Sequence, residues 1–182
     1  MSRRRKLSTV LIGLIAALPL VATPSVAAAT EAAVQAKLDR MAAERAAAAP
    51  GTTRVCYSVH VQDKDWTPAL CDGQEAGFPE QHKRIEAIMI SVAGTNGGVG
   101  VCYRPHLQDI GWVANESCNN NVAGTVGQSR RLEAIRIRGL GTRLCYTATG
   151  QDYEYRDSVC DNEIMGTVGE SRYMSGIMIF VA

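Results

Sequence analysis

One pattern occurs three times along this chain, and that repetition limits what it can fold into more than any other feature. Val55-Cys56-Tyr57, Val101-Cys102-Tyr103 and Leu144-Cys145-Tyr146 each open a block. Each block then reaches a Gln-Asp pair (Gln62-Asp63, Gln108-Asp109, Gln151-Asp152) and an aromatic four residues after the Gln: Trp66, Trp112, Tyr155. A second cysteine follows (Cys71, Cys118, Cys160), then a glycine (Gly77, Gly124, Gly166), and the block closes on alternating isoleucines: Ile88 and Ile90, Ile135 and Ile137, Ile177 and Ile179. From Cys56 to Cys102 to Cys145 the period is 46 and then 43 residues. A unit of this size cannot bury its own apolar face, so three are expected to close around a shared core.

The blocks, about 54–93, 100–140 and 143–182, read as strands. Tyr57, Val59 and Val61 alternate with Cys56, Ser58, His60 and Gln62, the period-two signature of a half-buried strand; Tyr103, Pro105 and Leu107 repeat it. Turn-rich linkers follow the second cysteines. Gly124-Thr125-Val126-Gly127 and Gly166-Thr167-Val168-Gly169 read as tight loops needing positive φ, where block one carries Gly77-Phe78-Pro79-Glu80 instead. On the closing strands, Arg84 and Glu86, like Arg131 and Glu133, stand two apart on the face of the isoleucines; block three replaces both partners, with Tyr173 and Ser175. Joint loss is what a structural ion pair predicts, because one charge alone beside a core is costly. The fold class is therefore all-β with pseudo-threefold symmetry. A β-prism or a β-trefoil fits, and the prism is preferred because one small sheet per block suits long first and last strands with a weaker middle.

Six cysteines can pair in many ways, but the repeat selects one. Each block holds two, 15, 16 and 15 residues apart, and a symmetric fold uses the same bond three times: Cys56–Cys71, Cys102–Cys118 and Cys145–Cys160. No pair has the close spacing of a zinc site, so neither metal nor cofactor is expected.

The ends set the compartment. Arg3-Arg4-Arg5-Lys6, the apolar run Leu7 to Ala22 and the small residues around Ser25-Val26-Ala27 and Ala27-Ala28-Ala29 read as a signal peptide over 1–29. Residues 30–52 read as an Ala-rich helical or flexible spacer, with Val34, Leu38 and Met41 a weak stripe, Thr30 a candidate cap and Pro50-Gly51 a stop. The folded domain is then 53–182. Residues 1–30 hold four basic and no acidic groups, which leaves 15 basic against 18 acidic in the exported chain. A mildly acidic chain offers no electrostatic footprint for nucleic acid or an anionic membrane.

His106-Leu107-Gln108-Asp109-Ile110-Gly111-Trp112, then Gly124 to Ser129, then Arg131-Leu132-Glu133-Ala134-Ile135-Arg136-Ile137 together resemble the hydrophobic-W (ChW) repeat of clostridial secreted proteins. Block one departs with Asp65-Trp66, block three with Glu154-Tyr155, and the paired cysteines depart from the usual pattern. The resemblance implies a secreted or cell-surface protein of a family linked to polysaccharide binding and adhesion, with no established catalytic residues to carry over.

The expected function is a secreted, non-catalytic module for a carbohydrate or cell-wall polymer. A sugar site wants an aromatic face and planar amide or carboxylate partners. Each block offers such a set: Gln62, Asp63 and Trp66; Gln108, Asp109 and Trp112; Gln151, Asp152 and Tyr155. The competing account makes the Gln a strand-end cap and the aromatic a core plug. The alternative function is adhesion to a protein partner, with residues 31–50 holding the domain off a surface. An enzyme is not expected: His60 and His106 occupy equivalent repeat positions, which suggests structure, and no nucleophile sits beside a base in a known motif.

Overall fold

A computed structural model describes residues 26–95 and 97–182. The signal-peptide expectation lies outside the described residues up to Ser25. Helix α1 (Val26–Ala48) is followed by block one, with β1 (Thr53–Val61), β2 (Leu70–Cys71), β3 (Ala76–Gly77) and β4 (Ile85–Gly94). Block two supplies β5 (Gly100–Leu107), β6 (Gly111–Trp112), β7 (Ser117–Cys118), β8 (Ala123–Gly124) and β9 (Leu132–Leu140). Block three supplies β10 (Leu144–Gly150), β11 (Val159–Cys160), β12 (Met165–Gly166) and β13 (Met174–Val181). Among the described residues the fold is all-β apart from α1 and one short 3-10 turn at Pro79–Gln81.

Each block's opening and closing strands form a long antiparallel hairpin: β1 with β4, β5 with β9, β10 with β13. The one-sheet-per-block expectation holds at this level, and the sheets are then completed across blocks. The two-residue β3 of block one pairs with β13 of block three, β8 of block two with β4 of block one, and β12 of block three with β9 of block two. The exchange runs one way and closes on itself. The recurring glycine is what allows it. A Cβ on Gly77, Gly124 or Gly166 would stand 2.1, 2.3 and 2.3 Å from a backbone oxygen of the neighbouring strand, at φ of +121°, +118° and +104°. Only glycine reaches that conformation and that closeness together.

The three opening tyrosines repeat the same circuit. Tyr57, Tyr103 and Tyr146 are fully buried. Each hydroxyl accepts from a backbone N–H of the next sheet, at 3.1 Å from Ile179, 3.1 Å from Ile90 and 3.0 Å from Ile137. Each donates to a carbonyl of its own block, that of Gln74, Asn121 or Glu163. The hydroxyl thus continues the ladder where the two-residue strand stops. Around these rings the isoleucines of all three closing strands form one core.

Tyr103→Phe should therefore leave the buried Ile90 N–H without its partner and cost about 1–3 kcal/mol, read in a urea melt. Burial pushes Tyr57 and Tyr146 up to about 12. An unfolded tyrosine ionises near pH 10, so between about pH 10 and 12 the unfolded chain loses protons that the folded chain keeps. Stability is complete below that window and falls as pH rises through it.

All three disulfides are within blocks, as the repeat predicts: Cys56–Cys71, Cys102–Cys118 and Cys145–Cys160. In each the two cysteines face each other across the ladder, joining the opening strand to a two-residue edge strand.

The 30–52 segment is helical as far as Ala48, but it docks instead of standing off the domain. Leu38 and Ala42 are buried against Cys56, Cys71 and Met89 on the outer face of the first sheet, and Ala46, one turn further on, is buried as well. Small alanines let the helix lie close, so a stripe that looks weakly apolar still makes a tight seam. Ser91 donates to Asp39, and Gln35 and Asn120 exchange side-chain-to-carbonyl bonds at 3.1 and 2.7 Å. The helix is already formed at Val26, so Thr30 lies inside it and is not its cap. It ends ahead of Pro50-Gly51 as expected, with Gly51 at φ +82°.

Candidate functional site

Every hairpin changes register at the same step: between His60 and Val61, His106 and Leu107, Thr149 and Gly150. Such a bulge bends the strand and re-aims the side chain beside it. In blocks one and two that side chain is a histidine. Nδ1 of His60 lies 3.3 Å from Glu86, and Nδ1 of His106 lies 3.0 Å from Glu133. Neither Nδ1 makes a hydrogen bond in this geometry. The other carboxylate oxygen takes Arg84 or Arg131 at 2.8 Å. The Arg–Glu pairing expected from sequence is present, with the histidine as a third member. Each histidine also meets its block's tryptophan edge to face, at 5.6 Å for Trp66 and 5.3 Å for Trp112.

The neighbouring block covers each cluster with its exchanged loop. The Thr125 N–H bonds the Glu86 carbonyl, and the Thr167 N–H bonds the Glu133 carbonyl. At the third seam the Phe78 N–H bonds the Ser175 carbonyl. Block three lacks the cluster, carrying Thr149, Tyr173 and Ser175 at the positions of His, Arg and Glu. Block one lacks the Gly-Thr-Val-Gly loop. Because the exchange is cyclic, these two departures meet at one seam.

There the surface opens into a cleft of about 460 Å³, within the usual range for small-ligand sites. It is lined by Thr149, Gln151, Asp152, Tyr153, Glu154, Tyr173 and Ser175 of block three and by Glu80 and His82 of block one. Tyr153 carries the Arg156 guanidinium over its ring at 4.7 Å. Its hydroxyl is buried without a hydrogen-bond partner, and burial pushes it up to about 12.

The residues proposed from sequence fall into three environments. Asp63, Asp109 and Asp152 have φ of 57°, 61° and 60°, and the preceding Gln N–H groups bond the carbonyls of Arg84, Arg131 and Tyr173. The Gln-Asp pair thus forms the turn after the bulge, which accounts for its recurrence. Lys83, bonded to Asp63 at 2.8 Å, holds that exposed carboxyl below its ordinary range. In block one Trp66 packs toward the α1 seam. In block two Trp112 is half-buried, Gln108 is half-buried and Asp109 is exposed. In block three Gln151 and Asp152 line the cleft, but the aromatic beside them is Tyr153; the Tyr155 hydroxyl donates to Glu75. Thr149, Tyr153, Tyr173, Ser175, Glu80 and His82 were not singled out as site residues from sequence. The signal was the paired departures of blocks one and three, whose meeting point depends on the strand exchange.

The architecture defines a disulfide-stapled, all-β repeat protein. Residues 60–97 and 106–141 match the family model described as ChW: Clostridial hydrophobic W, so these two segments are similar to ChW repeats. The matched segments lie in blocks one and two, which hold the His–Glu–Arg cluster, while most of the cleft's lining comes from block three. Compared with curated proteins and with solved structures, the chain finds no match.

Proposed function

We propose that this is a secreted, non-catalytic binding module for a carbohydrate or cell-wall polysaccharide, with the seam cleft as its principal site. The cleft itself carries the reading. It combines two tyrosine rings with hydroxyl, amide and carboxylate groups, the set that grips a sugar ring by its face and its hydroxyls. The partly exposed Trp112 is a second contact on a long polymer, and two weak sites on one chain gain by avidity. Three disulfides suit an oxidising compartment, and no helix among the described residues is long and apolar enough to cross a membrane.

Adhesion to a protein is the second reading. Its support is the exposure of Ile110, Ile164 and Val168, at 50, 42 and 46 %, and no longer a spacer, since residues 30–48 are docked.

Titrating the secreted chain on a glycan array, beside Tyr173→Ala and Trp112→Ala, tests the assignment. Tyr173→Ala should lose most of the affinity and keep its melting temperature within a few degrees. Trp112→Ala should lose less. An array with no response, or a Tyr173→Ala chain that binds as before, overturns the cleft.

A further inference from the structure

The outer faces of the three hairpins differ sharply. Block one's is covered by α1. On the equivalent ladder rungs, block one pairs Ser58 with Met89 and block three pairs Thr147 with Met178, but block two pairs Arg104 directly with Arg136. Two like charges facing across an antiparallel ladder, with Cβ atoms about 5 Å apart, destabilise it unless something neutralises them. Nothing within the described residues does so. Arg104 spends its Nε on the Val113 carbonyl. Arg136 lies over the Trp112 ring at 5.2 Å and reaches only the Asn162 carbonyl, at 3.5 Å. The nearby Glu116 carboxylate is held by Arg138 at 2.8 Å, and Glu133 by Arg131 and His106. Two half-buried guanidinium groups are thus held in place by a carbonyl and an indole, side by side and without an anion. In a chain whose exported part is mildly acidic, this is a placed cationic site and not general surface charge.

We infer that the outer face of block two, built by Arg104, Arg136 and Trp112, binds an acidic group, so the polymer this module recognises carries carboxylate or phosphate. The inference rests on the glycan reading. The planar guanidinium fork matches either group with paired, charge-assisted bonds, and Trp112 keeps Arg136 oriented while offering apolar surface to an adjoining sugar.

The test compares binding of the secreted chain to polygalacturonate, to its fully methyl-esterified form and to poly(glycerol phosphate), at low and physiological salt. At least one acidic polymer should bind about tenfold more tightly than the ester, with the difference shrinking as salt screens it. Arg104→Gln with Arg136→Gln should erase that preference while the melting temperature holds or rises, because a repulsive pair has been removed. Comparing the two acidic polymers tells carboxylate from phosphate. Equal binding of acid and ester that is lost in Tyr173→Ala would overturn the acidic site and leave the glycan reading standing. A doubly substituted chain that keeps the preference, or that melts well below the parent, would assign the arginines a structural role. The ester and salt comparisons need only the unmodified chain, so they decide the matter even if the variant folds poorly.

Discussion

Gly124→Ala should cost the domain at least about 3 kcal/mol, as strain at a forbidden backbone conformation adds to a clash. The new methyl group would stand 2.3 Å from the Glu86 carbonyl oxygen and 2.6 Å from the Ala87 Cα, at φ +118°. Both obstacles are backbone of β4, so no side chain can swing away to relieve them. The exchange that ties block two to block one would have to open. Gly127→Ala is the control: φ is +71° but nothing lies within 4 Å, so only the left-handed conformation resists, at about 1 kcal/mol. Urea melts of the two variants should separate clearly. Equal, small losses would mean that β8 does not need to approach β4 as closely as described.

Reduction of the disulfides should have an effect at least as large, and it should come in stages. Each bond closes a loop of 15 or 16 residues, worth about 3 kcal/mol in the chain-entropy model. Three together rival the entire stability of an ordinary domain, about 5–15 kcal/mol. They also tether edge strands of two residues that have few ladder bonds of their own. Full reduction should therefore leave the chain largely unfolded. The order follows from cover. Cys56 and Cys71 are 0 and 1 % exposed beneath α1, whereas Cys118 and Cys160 are half-buried. Under limiting reductant, alkylation mapped by mass should mark blocks two and three first and block one last. Early labelling of Cys71 would show that α1 does not shield this face in solution.

What the sequence made legible was the regular part of each block: its disulfide, its long strands and its Arg–Glu pair. Spacing fixed the disulfides because each pair is local, and alternation marked the long strands because seven to ten residues carry a clear period. The Arg84–Glu86 and Arg131–Glu133 pairs could be read for the same reason. Relations between blocks were hidden. A two-residue strand such as Ala123-Gly124 has no period to detect, so nothing in the chain announces that it completes the sheet of block one. The positive φ expected at Gly124 and Gly166 came through, but not the close approach that makes glycine necessary. The docked helix was obscured because two of its three buried positions are alanine, which composition scores as neutral. His60 and His106 were recognised as equivalent, yet their contact with Glu86 and Glu133 follows from a bulge, and a bulge leaves no mark on spacing. The cleft was doubly concealed. The Tyr173 and Ser175 replacements and the missing Gly-Thr-Val-Gly of block one were each visible, but they lie about a hundred residues apart, and only the cyclic pairing brings them together.

That cyclic pairing makes the copy number a fixed property of this fold. In a stacked repeat array each unit leans on its neighbours alone, so duplication or loss of a unit lengthens or shortens the protein and the rest survives. Here every block lends a strand and a tyrosine hydroxyl to one partner and borrows the same from another. A fourth copy would have no sheet edge to fill, and two copies would leave an edge unfilled and an isoleucine N–H without its hydroxyl. Such a lineage can diversify only by changing what each copy carries, and the chain shows that route taken: one face covered by a helix, one armed with arginines, one opened into a cleft.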